Sequence, residues 1–482
     1  MARDPARSCR SSKGVRLRAM VKKPTGASRQ RRTAPHVSSQ GGGGEERTSV
    51  LTGVWTPALV EAARRHLTTG LYVNAYYLIS NTAVNSLLGL VFWTTAARLY
   101  TTEAVGTASA ILSAAALLAG LSSLGLELGL ARFLPGAERM SGNMLDSTLT
   151  AVAFSSLVFS AGFLLGLPLW SPALTFVYEE HAFLVVFALL TLMTALGKVI
   201  DGAFVARRAA KFTLLRQGSL NVVKIPLLLL FLNVSRVPGI VISVVVATGF
   251  SLGFALVRFL PAVEGAYRPR LRLSRTIIGG ILPYAVANHL ADLLAQSPQV
   301  VLPLLTLNLL GPSDSAYFYV TWMIANLLFA IPRSVATSMV VEGAYKEEAL
   351  GENVARALRV ISLLLAPAVI LTLIGGDELL LLFGRDYAMK GRELLPILAV
   401  SAFPVGVNHV YFAINRVRRR NWRNLIVSLL VAGAVLGSSS WLMARYGIVG
   451  TGIGWLVGEG ALSVLVLISL CRRGRRASLI GI

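Results

Sequence analysis

The sequence predicts an all-α polytopic membrane protein that crosses the bilayer about twelve times. Three observations lead to this fold class. The chain of 482 residues is 54% hydrophobic, with a mean hydropathy of +0.65. Charged residues make up only 14% of it, against roughly 25% in a soluble globular domain. Apolar runs of about 20 residues, the length at which a helix spans the hydrocarbon core, recur from residue 72 to residue 470.

The N-terminal region does not share this pattern. Residues 1–55 are rich in Arg, Ser and Gly and predict a disordered basic cytoplasmic tail. The tail has no apolar core of about 7–15 residues, so it is not predicted to be a signal peptide. Residues 56–70, "TPALVEAARRHLTTG", predict a short interfacial helix with Thr56 as its N-cap. A plain linker helix is the alternative.

Twelve apolar segments follow, and each is long enough to cross the bilayer as a helix. The second and the seventh are long enough to tilt or to extend beyond the membrane. In order, the predicted spans are 72–95, 104–134, 145–169, 182–206, 212–233, 239–261, 277–306, 315–341, 357–376, 394–415, 423–443 and 448–470.

The positions of Arg and Lys predict the orientation of the chain. Of the 46 basic residues, 37 lie in the two tails and the alternate loops, six lie in the opposite loops and three lie inside spans. Because cytoplasmic loops carry the excess of basic residues, both termini are predicted to be cytoplasmic. The net charge of +23 is then explained by the membrane surface, and no nucleic-acid partner is inferred.

The tetrapeptide RFLP occurs at Arg132 and again at Arg258, each time at the predicted cytoplasmic end of a span. It is interpreted as a shared way of ending a span, in which Arg reaches the headgroups and Pro stops the helix. Chance similarity is the alternative. The most basic central loop, 263–275, divides the chain into six spans (71–262) and six spans (276–471), followed by a basic tail, 472–482.

Polar residues inside the spans mark candidate functional positions, because burying them in lipid is unfavourable. In the first span, Asn74, Asn81 and Asn85 share one helix face. That face predicts either the wall of a hydrophilic cavity or hydrogen bonding between helices.

The seventh span contains three prolines and a polar stripe of Asn288, Asp292 and Gln296. It predicts a broken helix with a carboxylate near mid-membrane, which suits a cation or proton site. A structurally paired Asp292 is the alternative. In the eighth span, Arg333 predicts a cavity-facing guanidinium that holds a phosphate, against the alternative of an arginine that reaches toward the cytoplasmic surface.

Two further pairs of polar residues are interpreted as structural. Lys198 with Asp201, and Asn221 with Lys224, are each three residues apart and predict networks near the cytoplasmic end of the fourth and fifth spans. Glu127 in the second span is a candidate to pair with an arginine, and its role is left open, as is that of Glu459 in the twelfth span.

Catalytic motifs are absent from the sequence, so the chain is not predicted to be an enzyme. It contains no phosphate-binding Walker loop and no HExxH, and its one GxSxG match, 249–253, lies inside the sixth apolar span. The five histidines have no metal-ligand spacing, and no cofactor is predicted.

Three stretches resemble one known family: "LGLELGLARFLP" (124–135), residues 382–420 with their Gly–x–Asp–Tyr turn and arginine cluster, and the Gly-rich "YGIVGTGIGWLVGEG" (446–460). The chain resembles the multidrug/oligosaccharidyl-lipid/polysaccharide (MOP) exporter superfamily, in its polysaccharide transporter, O-antigen flippase-like branch. The resemblance covers roughly residues 70–470.

The resemblance implies two six-helix lobes around a central cavity that opens alternately to each side of the membrane. It also implies a lipid-diphosphate-linked oligosaccharide as cargo. Some relatives carry several cavity arginines in the first two spans, where this chain has only Arg98 and Arg132 at the membrane edge. Asp292 is the candidate for coupling to a Na⁺ or H⁺ gradient. The candidate substrate-binding residues are Arg333, Asn74, Asn81, Asn85 and Asn288.

The resulting hypothesis is a flippase in the cell membrane. Its expected partners are membrane lipids and the glycosyltransferases and polymerase of a polysaccharide pathway. A drug/cation antiporter of the same superfamily is one alternative, although it would need an acidic cavity. A non-transporting scaffold of a polysaccharide synthase complex is the other.

Overall fold

A computed structural model describes residues 70–137, 140–179, 181–233, 236–265, 267–345 and 350–479. The predicted tail 1–55 and almost all of the predicted helix 56–70 lie outside these residues. The described part of the chain is helical and contains no strand. This confirms the all-α fold class.

The described residues form fifteen α-helices joined mostly by short turns. They are α1 (Gly70–Leu99), α2 (Thr102–Ser123), α3 (Leu126–Phe133), α4 (Ser141–Leu165), α5 (Leu167–Trp170), α6 (His181–Ala206), α7 (Ala210–Leu230), α8 (Arg236–Phe254), α9 (Leu260–Val263), α10 (Arg275–Leu310), α11 (Pro312–Tyr345), α12 (Leu350–Leu381), α13 (Arg385–Gly391), α14 (Leu394–Val417) and α15 (Asn421–Leu479).

All twelve predicted spans are helical. Nine helices in the described part of the chain are long and apolar enough to cross a membrane. One of them, α15, contains the last two predicted spans, which a non-helical residue separates at Gly447 (φ 57°, ψ −141°). The same helix continues to Leu479, into the predicted tail 472–482. Helices α1 and α7 match the two remaining spans and are more polar, since they carry the asparagines and basic residues described below.

The helices pack into two groups that meet along α2 and α3. In the first group, α1 packs on α7, α4 on α6, and α7 on α8. In the second, α10 and α14 pack on α15, and α11 and α12 pack on α14. Helix α2 of the first group contacts both α10 and α11 of the second, and α3 contacts α10. We call the end of the bundle that carries residues 267–275 the linker end, and the opposite end the far end.

The second predicted span is two helices rather than one. Between α2 and α3, Leu124 and Gly125 have positive φ values of 50° and 70°, a backbone conformation that favours glycine. A Cβ at Gly125 would overlap Ala285 and His289 of α10. The break therefore lets the chain approach α10 closely, and hydropathy alone does not predict it.

The helix behaves differently at the two RFLP copies. At the first copy α3 ends at Phe133 and the chain continues as a 3₁₀ turn, Leu134–Gly136, as predicted. At the second copy the prediction that Pro stops the helix is wrong, because a π-helical turn, Ala255–Phe259, leads into α9. Pro261 lies in the first turn of α9, and that helix ends two residues later at Val263.

The prolines of the seventh span do not break it. Helix α10 is continuous through Pro283, Pro298 and Pro303, so the predicted broken helix is wrong. Pro298 removes the backbone donor for the carbonyl of Leu294. The hydroxyl of Ser297 donates to that carbonyl at 2.9 Å instead, which preserves the helix.

The far end of the bundle is closed by contact between α2 and α11. The hydroxyl of Ser315 donates to the carbonyl of Gly106 at 3.4 Å. Gly106 has no room for a side chain, because a Cβ there would overlap the carbonyl oxygen of Pro312. Nearby, the rings of Trp93 and Tyr319 lie 4.6 Å apart, centroid to centroid.

Candidate functional site

Two connected polar cavities lie on the linker-end side of this closure. The deep cavity, of about 290 Å³, is enclosed by α10, α11, α14 and α15. The entrance cavity, of about 510 Å³, lies where α3 and α10 face the ends of α14 and α15. Asp292, Arg416 and Asn424 line both cavities, so the two form one polar path.

Arg333 lies on the wall of the deep cavity, as the sequence predicts. It follows Pro332 in α11 and lies twelve residues from the end of that helix at Tyr345, which corresponds to about 18 Å along the axis. Among the described residues, its guanidinium has no hydrogen-bond or ion-pair partner. It therefore offers a free planar donor fork, which suits an oxyanion.

Asp292 lies at the junction of the two cavities and forms an ion pair with Arg416 of α14. The side chains of Asp292 and Arg416 are 35% and 51% exposed. The geometry matches the alternative of a paired aspartate. An ion pair this exposed contributes only about 0–1 kcal/mol of stability. The carboxylate therefore remains available to exchange its partner.

Asn288 belongs to the entrance cavity. Its Oδ1 accepts from Asn421 Nδ2 at 3.1 Å, and its Nδ2 donates to the carbonyl of Tyr284 at 2.8 Å. On the same wall, the guanidinium of Arg132 lies 4.3 Å from the ring centroid of Tyr284. The arginine of the first RFLP copy thus faces a cavity as well as the membrane edge.

The three asparagines of α1 lie apart from this site. Asn81 donates to the Oε1 of Gln217 at 3.0 Å, Asn221 donates to the Oδ1 of Asn85 at 2.7 Å, and Asn74 accepts from a backbone amide of α7 at 2.9 Å. None of the three lines the deep or the entrance cavity. These contacts favour the alternative of hydrogen bonding between helices, and the substrate role of these residues stays a prediction.

Across the first group of helices, Asp201 of α6 pairs with Arg216 of α7. The carboxylate accepts from Nε and Nη2 of the guanidinium and from Gln217 Nε2 at 2.7 Å. Asp201 and Asn221 thus belong to one polar network, as predicted for the fourth and fifth spans, but the ion-pair partner of Asp201 is Arg216 and not Lys198. Asn221 likewise bonds to α1 rather than to Lys224, whose ammonium lies 4.4 Å from the centroid of the Phe92 ring.

Glu127 of α3 contacts a histidine instead of the predicted arginine. Its Oε1 lies 3.5 Å from Nδ1 of His289 in α10. The Nε2–H of His289 donates to the carbonyl of Gly120 at 2.8 Å. These contacts join the two helix groups beside the entrance cavity.

Sequence reasoning missed the α14 wall of the deep cavity. Asn408 Nδ2 donates to Glu459 Oε2 at 2.7 Å, and His409 and Arg416 line the same cavity. The sequence does carry a signal for this wall. The stretch "GVNHVYFAINR" (406–416) places polar residues inside an apolar span, as the polar stripe of the seventh span does. The role of Glu459 had been left open.

A third cavity, of about 410 Å³, lies at the far end between the α1–α2 turn and the α12–α13 turn. Arg98 lines it and donates from Nε to the carbonyl of Leu382 at 2.9 Å and from Nη2 to that of Leu381 at 2.6 Å. Arg98 thus ties the two helix groups together and is not available to a ligand in this arrangement.

Comparison with family models and with curated proteins gives no match for this chain. Solved structures do match. An inward-facing multidrug resistance MATE family transporter of the MOP superfamily matches with a TM-score of 0.62 and 16% identity over 83% of this chain and 96% of that one. The lipid II flippase MurJ, in an inward closed conformation, matches with a TM-score of 0.65 and 11% identity over 82% of this chain and 87% of that one.

A MOP superfamily transporter from Pyrococcus furiosus, described as having a binding pocket of reverse polarity, matches with a TM-score of 0.54 and 16% identity over 83% of this chain and 94% of that one. At these identities the likeness establishes the fold. The predicted resemblance to the MOP superfamily is therefore confirmed as a resemblance of fold. The polysaccharide branch stays a prediction.

Proposed function

We propose that this protein flips a lipid-diphosphate-linked oligosaccharide across the cell membrane by alternating access. The observation that carries the proposal is the unpartnered guanidinium of Arg333 on the wall of the deep cavity. The diphosphate of the cargo is the oxyanion that would occupy it. In this proposal the linker end faces the cytoplasm, as the distribution of Arg and Lys predicts.

The physical need for such a cavity is clear. Moving a charged, hydroxyl-rich headgroup through bare hydrocarbon is prohibitive, so it must travel along polar protein surface. The entrance cavity offers Arg132 and Asn288, and the deep cavity offers Gln296, Arg333 and Asn408. Amide side chains donate and accept at once, which suits sugar hydroxyls.

Within a pathway, glycosyltransferases on the linker-end side would build the oligosaccharide and a polymerase on the far-end side would consume it. Net transport also needs a driving force. We propose that Asp292 exchanges Arg416 for Na⁺ or H⁺ and so couples movement to an ion gradient.

A drug/cation antiporter is less well supported. Its cavity would have to be acidic overall to attract cations, yet the two acids of the deep cavity, Asp292 and Glu459, are matched by two arginines, Arg333 and Arg416. The guanidinium of Arg333 would repel a cationic drug. The scaffold alternative needs no polar cavity at all.

Substituting Arg333 with Ala is expected to lower flipping of a fluorescent lipid-diphosphate sugar in proteoliposomes roughly tenfold to a hundredfold, because a charge-assisted hydrogen bond to the diphosphate is lost. The flipping rate of Arg333→Lys should lie between those of the unmodified protein and Arg333→Ala, since lysine keeps the charge and loses the planar fork. In cells, export of surface polysaccharide should fall in the same order.

The matched control is Arg359→Ala, which removes an exposed arginine of α12 that lines none of the three cavities. Unchanged polysaccharide export by Arg333→Ala would show that the phosphate role is wrong. Drug efflux by the reconstituted protein would support the antiporter instead. Equal flipping with and without protein would support the scaffold.

Substituting Asp292 with Asn is expected to abolish stimulation of flipping by an imposed Na⁺ or H⁺ gradient while leaving flipping without a gradient largely intact. The amide cannot bind the cation, and loss of an exposed ion pair costs only about 0–1 kcal/mol of folding stability. The measurement is the ratio of flipping rates with and without each gradient. A variant that keeps this ratio would rule out Asp292 as the coupling residue.

A further inference from the structure

The segment that connects the two helix groups is an extended strap rather than a loose loop. We define the strap as residues 267–275, between α9 and the start of α10. It contains no helix from Tyr267 to Ser274 and runs beside the first turns of α4.

Backbone N–H groups of alternate strap residues bind side chains on one face of α4. This is the pattern of an extended segment, in which every second residue has the same orientation. The bonds join Arg270 N to Asp146 Oδ1 (2.9 Å), Arg272 N to Thr150 Oγ1 (3.2 Å) and Ser274 N to Ser147 Oγ (3.1 Å).

A buried side chain secures the start of the strap. The hydroxyl of Tyr267 donates to Asp146 Oδ1 at 2.5 Å, and both residues are buried. Burial and this hydrogen bond raise the pKa of Tyr267 above its ordinary range, so the phenol keeps its proton and remains a donor. The strap is therefore held in one register on α4.

This register gives the strap two chemically different faces. Leu271 and Leu273 share one face and are 93% and 56% exposed. Arg268, Arg270 and Arg272 lie on the other face and are also exposed. An amphipathic segment with leucines on one side and arginines on the other matches the boundary between acyl chains and phosphates.

The positive charge of the strap is not neutralised within the described part of the protein. Asp146 is occupied by Tyr267 and by the strap backbone, and Glu264 pairs with Arg207 at 2.5 Å. Arg272 donates to a neutral partner, Asn143 Oδ1, at 2.9 Å. Three strap arginines have no side-chain hydrogen bond or ion pair with another described residue: Arg268, Arg270 and Arg275.

We propose that the strap is a binding surface for anionic phospholipids of the leaflet at the linker end. Leu271 and Leu273 enter the acyl-chain boundary. Arg268, Arg270 and Arg275 bind lipid phosphates. Because the strap is fixed to α4 and leads directly into α10, these lipids bind where the two helix groups are joined. The inference does not depend on the cargo.

The first test uses the full chain in phosphatidylcholine nanodiscs with and without phosphatidylglycerol. Native mass spectrometry counts the phosphatidylglycerol retained by the protein. The variant Arg268→Gln/Arg270→Gln/Arg275→Gln is expected to lose its preference for phosphatidylglycerol by roughly fivefold per arginine. The control Arg385→Gln/Lys390→Gln/Arg392→Gln removes three exposed basic residues at the far end and should retain the lipids of the linker end.

The second test reports the position of the leucine face. A fluorescent label on Leu271→Cys, in a chain whose two native cysteines are replaced by serine, should be quenched by acyl-chain nitroxide lipids. The same label on Arg270→Cys, on the opposite face, should be quenched much less.

Two results would overturn the proposal. One is a triple arginine variant that retains as much phosphatidylglycerol as the unmodified protein. The other is a label at position 271 that the nitroxide lipids do not quench in either lipid composition. The proposal is also overturned if only an added soluble protein shields that label from water. That last case would make the strap a protein-docking surface.

Discussion

Replacing Asp201 with Ala is expected to destabilise the protein by roughly 3–5 kcal/mol, because it leaves a buried guanidinium without its partner. Asp201 and Arg216 have side chains only 15% and 7% exposed. Gln217 would lose an acceptor at the same time. Thermal unfolding of purified protein in detergent measures the change.

Two controls separate this effect from a general loss of polarity. The double variant Asp201→Leu/Arg216→Met removes both charges and should be more stable than Asp201→Ala alone, since no unpaired charge remains. Asp292→Asn breaks an exposed aspartate–arginine pair, that of Asp292 with Arg416, and should change stability by no more than about 1 kcal/mol. If Asp201→Ala unfolds at nearly the temperature of Asp292→Asn, burial is not what makes the first pair important.

Replacing Gly106 with Val is expected to abolish transport by preventing closure of the far end. The added Cβ would overlap the carbonyl oxygen of Pro312, which is backbone and cannot move aside as a side chain can. Helices α2 and α11 would have to separate. Ser315, which is fully buried against Gly106, would become accessible to water.

The measurement is labelling of Ser315→Cys by a membrane-impermeant maleimide. The cysteine should be protected in the unmodified background and labelled when Gly106→Val is added. Gly89→Val is the matched control, because a Cβ at this α1 glycine meets no atom within 4 Å. Normal transport by Gly106→Val, or a cysteine at 315 that stays protected, would contradict the prediction.

Several features of the site could be predicted because they depend on one helix at a time. The stripe of Asn288, Asp292 and Gln296 lines the cavities because residues four apart share a helix face. Arg333 lies on a cavity wall because a charge deep inside a span avoids lipid. The same local reasoning could not anticipate that Ser297 would compensate for Pro298 and keep α10 continuous.

Hydropathy and the distribution of basic residues determined that this chain is helical, that it crosses the membrane about twelve times and which residues inside the spans are polar. These are properties of short segments meeting lipid or water. Only the tertiary structure decided which polar side chains meet: Asp201 with Arg216, Glu127 with His289, and the asparagines of α1 with α7. The physical reason is that a polar group inside the membrane must find its partner on a neighbouring helix. The identity of that partner depends on the depth and rotation of both helices, which their packing sets.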